Sequence, residues 1–197
     1  KIIKQILRKN PSKKFYYGND WTLKKEKNRM IYKDQKGKLV LKSNKIFSDG
    51  IWQNVSLAIK VARDFNISKK NILRTIPKIT FEGRLQYITK GRLRKLLYPR
   101  EKLLLDGCHS NVGAKNLASY LKTLNKDIYG IWGIHKNRQP KRFIENFKKI
   151  FKKIIVVKIP DEPSSCSAEK LQKIASQLSL KCSTAPNIHT AIKKLSN

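Results

Sequence analysis

The chain has 197 residues, with Lys+Arg 45 against Asp+Glu 13 and a formal charge of +32; 40% of its residues are hydrophobic and 9% aromatic. That length suits one large domain or two small ones, and the apolar share excludes wholesale disorder. No run of about 18 apolar residues is present to cross a membrane, and residues 1–9 alternate apolar and basic without forming a signal-type stretch, so the chain reads as soluble and cytoplasmic.

In chain order, residues 14–17, 21–25, 30–33 and 38–42 read as short strands. Turns at Gly18-Asn19-Asp20 and Asp34-Gln35-Lys36-Gly37 make them an antiparallel meander. From Asn54 the period becomes helical, with Val55, Ala58, Ile59, Ala62 and Phe65 on one face and Asn66 as the stop. Ser68 caps a second helix that runs through Ile76 and ends at Pro77. The grammar changes after residues 78–82, where a domain boundary is expected; Trp52, just before the first helix, reads as a packing residue.

Beyond that boundary strand and helix alternate. A short apolar run at residues 102–105 stops at Asp106-Gly107, and residues 114–124 form a helix with Leu117, Tyr120, Leu121 and Leu124 on one face. Residues 128–132 are a buried-type strand ending at Gly133, followed by an amphipathic helix marked by Phe143, Phe147, Ile150 and Phe151. The β-branched run 154–159 halts at Pro160. Ser167 caps a helix carrying Leu171, Ile174, Ala175 and Leu178, and residues 188–195, with His189, close the chain as helix. Such alternation predicts an α/β fold whose parallel, doubly wound sheet has helices on both faces.

A charge of +32 invites a nucleic-acid reading through phosphate neutralisation. Lysine supplies most of it and occurs in every segment beside many Ile and Asn, the pattern of a lysine-rich surface without a specific nucleic-acid site. Cys108, Cys166 and Cys182, odd in number and without CxxC spacing, argue against a disulfide framework and a zinc site. No metal ligands are assigned in this chain.

Ligands of open parallel sheets sit beyond the carboxyl ends of strands, where helix N-termini offer free N–H groups. Leu105-Asp106-Gly107-Cys108-His109-Ser110-Asn111 has that place. Its carboxylate can accept from ribose hydroxyls and its imidazole can stabilise an anion; in the blander reading Asp106 and Ser110 cap the helix and His109 packs. Arg84, after Gly83, could reach a phosphate with its planar fork or lie free in solvent. Residues 133–139 form a third loop on the ligand side, made basic by His135, Lys136 and Arg138, or an ordinary surface turn. No Walker-type phosphate loop occurs.

Gly83-Arg84-Leu85-Gln86, then Leu105-Asp106-Gly107-Cys108-His109, then the Gly133 loop resemble the signature of the folylpolyglutamate and dihydrofolate synthase family of Mur-type ligases. Gly18-Asn19-Asp20-Trp21 resembles that family's GxDW strand, residues 53–59 its HQxxNAxxAI helix start, and Ile159-Pro160-Asp161-Glu162 a fourth segment of certain members. The sequence departs from the pattern at Gly50-Ile51, where the family has His-Gln, at Glu82 for Pro, at Ser110 for Asn, and at Arg138-Gln139 for Lys-Asp.

The resemblance implies an ATP-dependent ligase that joins L-glutamate to dihydropteroate or a folate through an acyl phosphate. By position Asn54 would contact adenine, Arg84 a phosphate and Asp106 the ribose; His109 would face the reaction centre, and Ser110 and Asn111 the substrate. Residues 1–80 would be the end of a central ATPase domain and residues 81–197 a Rossmann-like, mostly parallel C-terminal domain. Catalysis would need ATP and Mg2+, whose ligands, with the phosphate loop, are expected upstream. The chain, which begins with Lys1, would then be an inactive fragment of a monomeric enzyme. A basic nucleic-acid-binding protein and a non-catalytic interaction module are the competing readings.

Overall fold

The computed structural model describes residues 11–27, 29–46 and 48–196; the alternating residues 1–9 lie outside them. The chain divides into two compact units, Lys1–Thr80 and Phe81–Asn197.

In the first unit β1 (Trp21–Glu26), β2 (Arg29–Asp34) and β3 (Gly37–Leu41) form an antiparallel sheet in the order β1-β2-β3. One face of it, from Trp21, Met30, Tyr32, Leu39 and Leu41, packs on Trp52, Val55 and Ile59 of α1 (Asp49–Asp64) and Ile72 of α2 (Lys69–Thr75). The Trp21 indole donates to Ser56 Oγ at 3.2 Å, which satisfies its N–H inside this core. Ser48 and Ser68 cap α1 and α2 by accepting from the amides of Ile51 and Asn71.

The β2–β3 turn is locked to the end of α1 by charge. Arg63 Nη1 lies 3.3 Å from Asp34 Oδ1 and donates to the Gly37 carbonyl at 3.1 Å, while Nη2 donates to the Lys36 carbonyl. Asp34 also accepts from the Tyr32 hydroxyl and the Lys36 amide, each at 2.9 Å. Burial and then the adjacent Asp34 carboxylate push the Tyr32 phenol well above its ordinary range.

In the second unit β4 (Gln86–Ile88) and β5 (Leu103–Leu105) pair antiparallel, and β6 (Ile128–Trp132), β7 (Phe151–Val156) and β8 (Cys182–Thr184) form a parallel sheet. Alternation along β7 sorts two cores. Ile154 and Val156 pack with α3 (Asn111–Thr123), α4 (Pro140–Ile144) and α5 (Ala168–Gln177) through Ala114, Phe143 and Leu171. Ile155, with Val157 beyond the strand, packs with Ala191 of α6 (Ile188–Leu195). Helices therefore cover both faces, as a doubly wound sheet requires.

Several elements differ from the sequence reading. Residues 14–17 form no strand beyond an isolated bridge from Tyr17 to Trp21. The first helix starts at Asp49, five residues before Asn54, because Ser48 caps it; Ala58 and Phe65 are exposed instead of core-facing. The amphipathic segment after Gly133 leaves α4 for a 3-10 turn at Glu145–Phe147, and Phe151 opens β7. The helical spacing was real contact of another kind: Trp132, Phe143, Phe147 and Phe151 form a chain of ring contacts with centroids 5.0–5.9 Å apart, joining two strands to the segment between them. β4 and β8 were not anticipated, and β5 joins β4 in place of the parallel sheet.

Replacing Arg63 with Met leaves the Asp34 carboxylate buried without its cation. The first unit should lose about 3 kcal/mol, read as a lower urea midpoint by circular dichroism; an unchanged midpoint would contradict the lock.

Candidate functional site

The antiparallel register of β4 and β5 builds the site. Gln86 opposes Leu105, so the residues just before β4 meet those just after β5. Gly107 N–H donates to the Gly83 carbonyl at 2.7 Å, and Leu85 N–H donates to Asp106 Oδ2 at 2.9 Å. Gly83 has φ +65°, which its missing Cβ permits. Leu85 has φ +46°, a conformation that costs a side-chain-bearing residue roughly 1–3 kcal/mol. Burial of the Leu85 side chain and the bond to Asp106 hold it there.

Asp106 is half-buried, and its second oxygen accepts from Cys108 N–H at 2.8 Å. Both carboxylate oxygens thus fix backbone, one across the strand pair and one along the loop. Arg84 is exposed and its guanidinium lies over Gly107, with Nη1 3.6 Å from the point where a Cβ there would sit. His109 is exposed and its Nδ1 donates to the Gly107 carbonyl at 3.0 Å, which leaves Nε2 outward-facing in chemical terms: an acceptor when neutral, a donor when protonated.

Ser110 caps α3, its Oγ accepting from Gly113 N–H at 3.1 Å. The loop folds so tightly on this first turn that a Cβ at position 113 would meet Cys108 Cβ at 3.0 Å. Asn111 Oδ1 accepts at 2.9 Å from Asn146 in the turn after α4. Arg84, Asp106, His109, Ser110 and Asn111 are therefore gathered on one strand-pair end and the helix that follows it. Asn54 lies exposed on α1 of the first unit.

Sequence reasoning assigned no role to Cys108 or Asn146. Burial, then the charge and hydrogen bond of Asp106, push the Cys108 thiol up to about 12, so it stays protonated at neutral pH and is no nucleophile. The position of Cys108 between the strand and the Ser110 cap was the available signal; nothing local marks Asn146. The third loop is also structured: Lys136 N–H donates to the Ser164 carbonyl at 2.8 Å, and His135 Nδ1 lies 2.5 Å from Ser164 Oγ. Among the described residues no group of three or more His, Cys, Asp or Glu could hold a metal ion.

Asp106→Asn removes the carboxylate charge, the larger of the two Asp106 influences that hold the Cys108 thiol up. Its alkylation by iodoacetamide at pH 8 should accelerate several-fold, since each pKa unit lost gives about tenfold more thiolate. Peptide mass spectrometry after timed labelling reads this out, and an unchanged rate at Cys108 would contradict the contact.

No family model matches the chain, and no curated protein matches it. Solved structures do. A folylpolyglutamate synthase from Thermotoga maritima is 19% identical, with 94% of this chain and 44% of that chain covered and a TM-score of 0.70. E. coli FolC in complex with ADP is 16% identical, with 98% and 44% covered and a TM-score of 0.80. The bifunctional folylpolyglutamate synthase/dihydrofolate synthase of Yersinia pestis with Mn, AMPPNP and L-glutamate bound is 13% identical, with 98% and 43% covered and a TM-score of 0.76. The chain spans less than half the length of these structures. Its mixed sheet architecture, with a parallel three-stranded sheet and separate antiparallel strands, is the fold of the C-terminal part of the folylpolyglutamate synthases.

Proposed function

We propose that the chain is the C-terminal part of an ATP-dependent ligase that adds L-glutamate to dihydropteroate or a folate. The observation that carries the reading is the hydrogen-bonded junction of the Gly83–Leu85 turn with Asp106 and Gly107, because it gathers at one strand end the residues that the family resemblance had picked out separately. In this reading residues 1–80 close a central ATPase domain and residues 81–197 form the Rossmann-like domain. The enzyme is a cytoplasmic monomer.

The free valences fit a nucleotide. A carboxylate offers about four acceptor sites; Asp106 commits one on each oxygen to backbone and another to the Cys108 thiol, and keeps the remaining one for a ribose hydroxyl. Arg84, exposed beside the Gly107 backbone, presents its fork to a phosphate. In the first unit, Asn54, exposed on its helix, offers an amide of the kind that pairs with adenine. His109, when its ring is protonated at both nitrogens, donates from Nε2 to charge that develops on the transferring group. The Ser110 hydroxyl and the Asn111 amide N–H groups, whose acceptor sides are engaged by Gly113 and Asn146, remain as donors for a substrate carboxylate.

ATP would supply the phosphoryl group that activates the folate carboxylate. Mg2+ would be held by residues outside this chain, and no described residue is assigned to it. What this chain contributes is positioning and charge, the larger part of catalysis in phosphoryl transfer.

In the complete ligase Asp106→Ala should raise the ATP concentration for half-maximal rate about tenfold or more, with an unchanged circular dichroism spectrum. Unchanged ATP kinetics would remove the assignment. Arg84→Lys should lose nearly as much turnover as Arg84→Ala, because an ammonium cannot make a two-pronged phosphate contact. A lysine variant with wild-type turnover in steady-state assays would show that Arg84 acts as a mere charge.

A further inference from the structure

Away from Asp106, three side chains on two strand-end loops form a single hydrogen-bond chain. His135 follows β6, and Glu162 and Ser164 follow β7. The loops are laced together by the Lys136 amide on the Ser164 carbonyl (2.8 Å), the Cys166 amide on the Ile134 carbonyl (2.9 Å) and an antiparallel bridge between His135 and Ser165. Within this lacing the Ser164 hydroxyl donates to Glu162 Oε1 at 2.7 Å, the Ser164 amide donates to the same oxygen at 2.9 Å, and His135 Nδ1 lies 2.5 Å from Ser164 Oγ.

Counting protons fixes the direction of each bond. The Ser164 hydroxyl and amide hold the Glu162 carboxyl below the usual carboxylate range, so it is an ionised acceptor. Ser164 has one hydroxyl proton, and Glu162 takes it. Its oxygen must then accept from His135, which places the proton of neutral His135 on Nδ1 and the lone pair on Nε2. Among the described residues Nε2 has no hydrogen-bond partner. Nε2 is thus the free lone pair of a ring whose other nitrogen is held by Ser164 and, behind it, the Glu162 carboxylate, which is how an oriented general base is built.

We propose that His135 is the base that takes a proton from the ammonium group of the incoming amino acid, with Ser164 and Glu162 as its positioning residues. This rests on the ligase reading above. The ammonium has no lone pair; transfer of one proton to Nε2 gives a free amine and an imidazolium. The amine lone pair attacks the acyl phosphate carbon, the C–N bond forms, the C–O bond to phosphate breaks, and the second proton leaves with hydrogen phosphate. Of the charged residues on the two loops, Lys136, Arg138, Lys158, Asp161 and Glu162, only Glu162 belongs to the chain of bonds; Lys136 Nζ reaches the Pro163 carbonyl at 3.4 Å. The basic members suit an amino acid with two carboxylates. The loop also leads into α4, whose following turn is tied through Asn146 to Asn111, in the first turn of the helix that the Asp106 loop opens.

Two measurements decide it. The chain has only three histidines, so long-range nitrogen–proton NMR of histidine-labelled protein resolves each ring, with His135→Gln giving the assignment. Neutral His135 should carry its proton on Nδ1 and shift toward the Nε2-protonated form in Ser164→Ala; Nε2 protonation in the unaltered chain overturns the proposal. In the complete ligase His135→Gln should lower kcat about a hundredfold, abolish the low-pH limb of the kcat profile and leave the KM for ATP unchanged. A retained limb overturns the base but leaves the ligase standing. Absence of glutamate addition by the complete unaltered protein overturns the ligase reading and this proposal with it.

Discussion

The candidate site depends on one carboxylate being held by two backbone amides from different segments. Asp106 accepts from Leu85 across the β4–β5 pair and from Cys108 along its own loop, and the Gly107–Gly83 bond closes the same junction. Hydrogen bonds to a charged acceptor are about twice as strong as neutral ones, and here they keep Leu85 in a left-handed conformation it would otherwise leave. The position of Arg84, the direction of the loop into the Ser110 cap and the seat of His109 all follow from that junction. Removing the Asp106 carboxylate therefore undoes the junction itself, while Arg84 can be changed without touching the frame.

Acidic side chains are scarce in this protein, and several of them sit where a cation or an amide needs them. Asp34 neutralises the buried Arg63, and Asp64 pairs at 2.5 Å with Lys60, whose ammonium is buried and lies 3.8 Å over the Phe15 ring. Asp106 and Glu162 organise strand-end loops in the second unit. With 45 cations against 13 carboxylates, the surface can be left basic, but a buried cation without a partner is costly. The aromatic series Trp132, Phe143, Phe147 and Phe151 does the corresponding work for apolar surface, tying β6 and β7 to the segment between them.

The α/β order of the second unit was legible because buried strands read as β-branched runs and helices as periodic ones. What escaped reading had physical causes. β4 and β8 are three residues long, too short to show alternation, and Phe151 kept helical spacing to Phe147 because rings can stack across a change of element. The start of α1 was hidden by the weight given to Asn54 over the Ser48 cap. At the site, Asp106 and Arg84 could be picked from the sequence, since a strand ending in Asp-Gly and an Arg after Gly are local patterns. Their joining could not, because it depends on pairing between strands about twenty residues apart. The His135–Ser164–Glu162 chain was invisible for the same reason: His135 stood out as part of a basic loop and Glu162 as part of a separate family-like segment, and nothing local joins the two through Ser164.

The most direct test of the account is a crystal structure of the complete protein with a non-hydrolysable ATP analogue. The account predicts a ribose hydroxyl within hydrogen-bond distance of Asp106 and a phosphate oxygen on the Arg84 guanidinium, with the Gly83–Gly107 junction unchanged. A nucleotide bound with its ribose and phosphates away from both residues would contradict it.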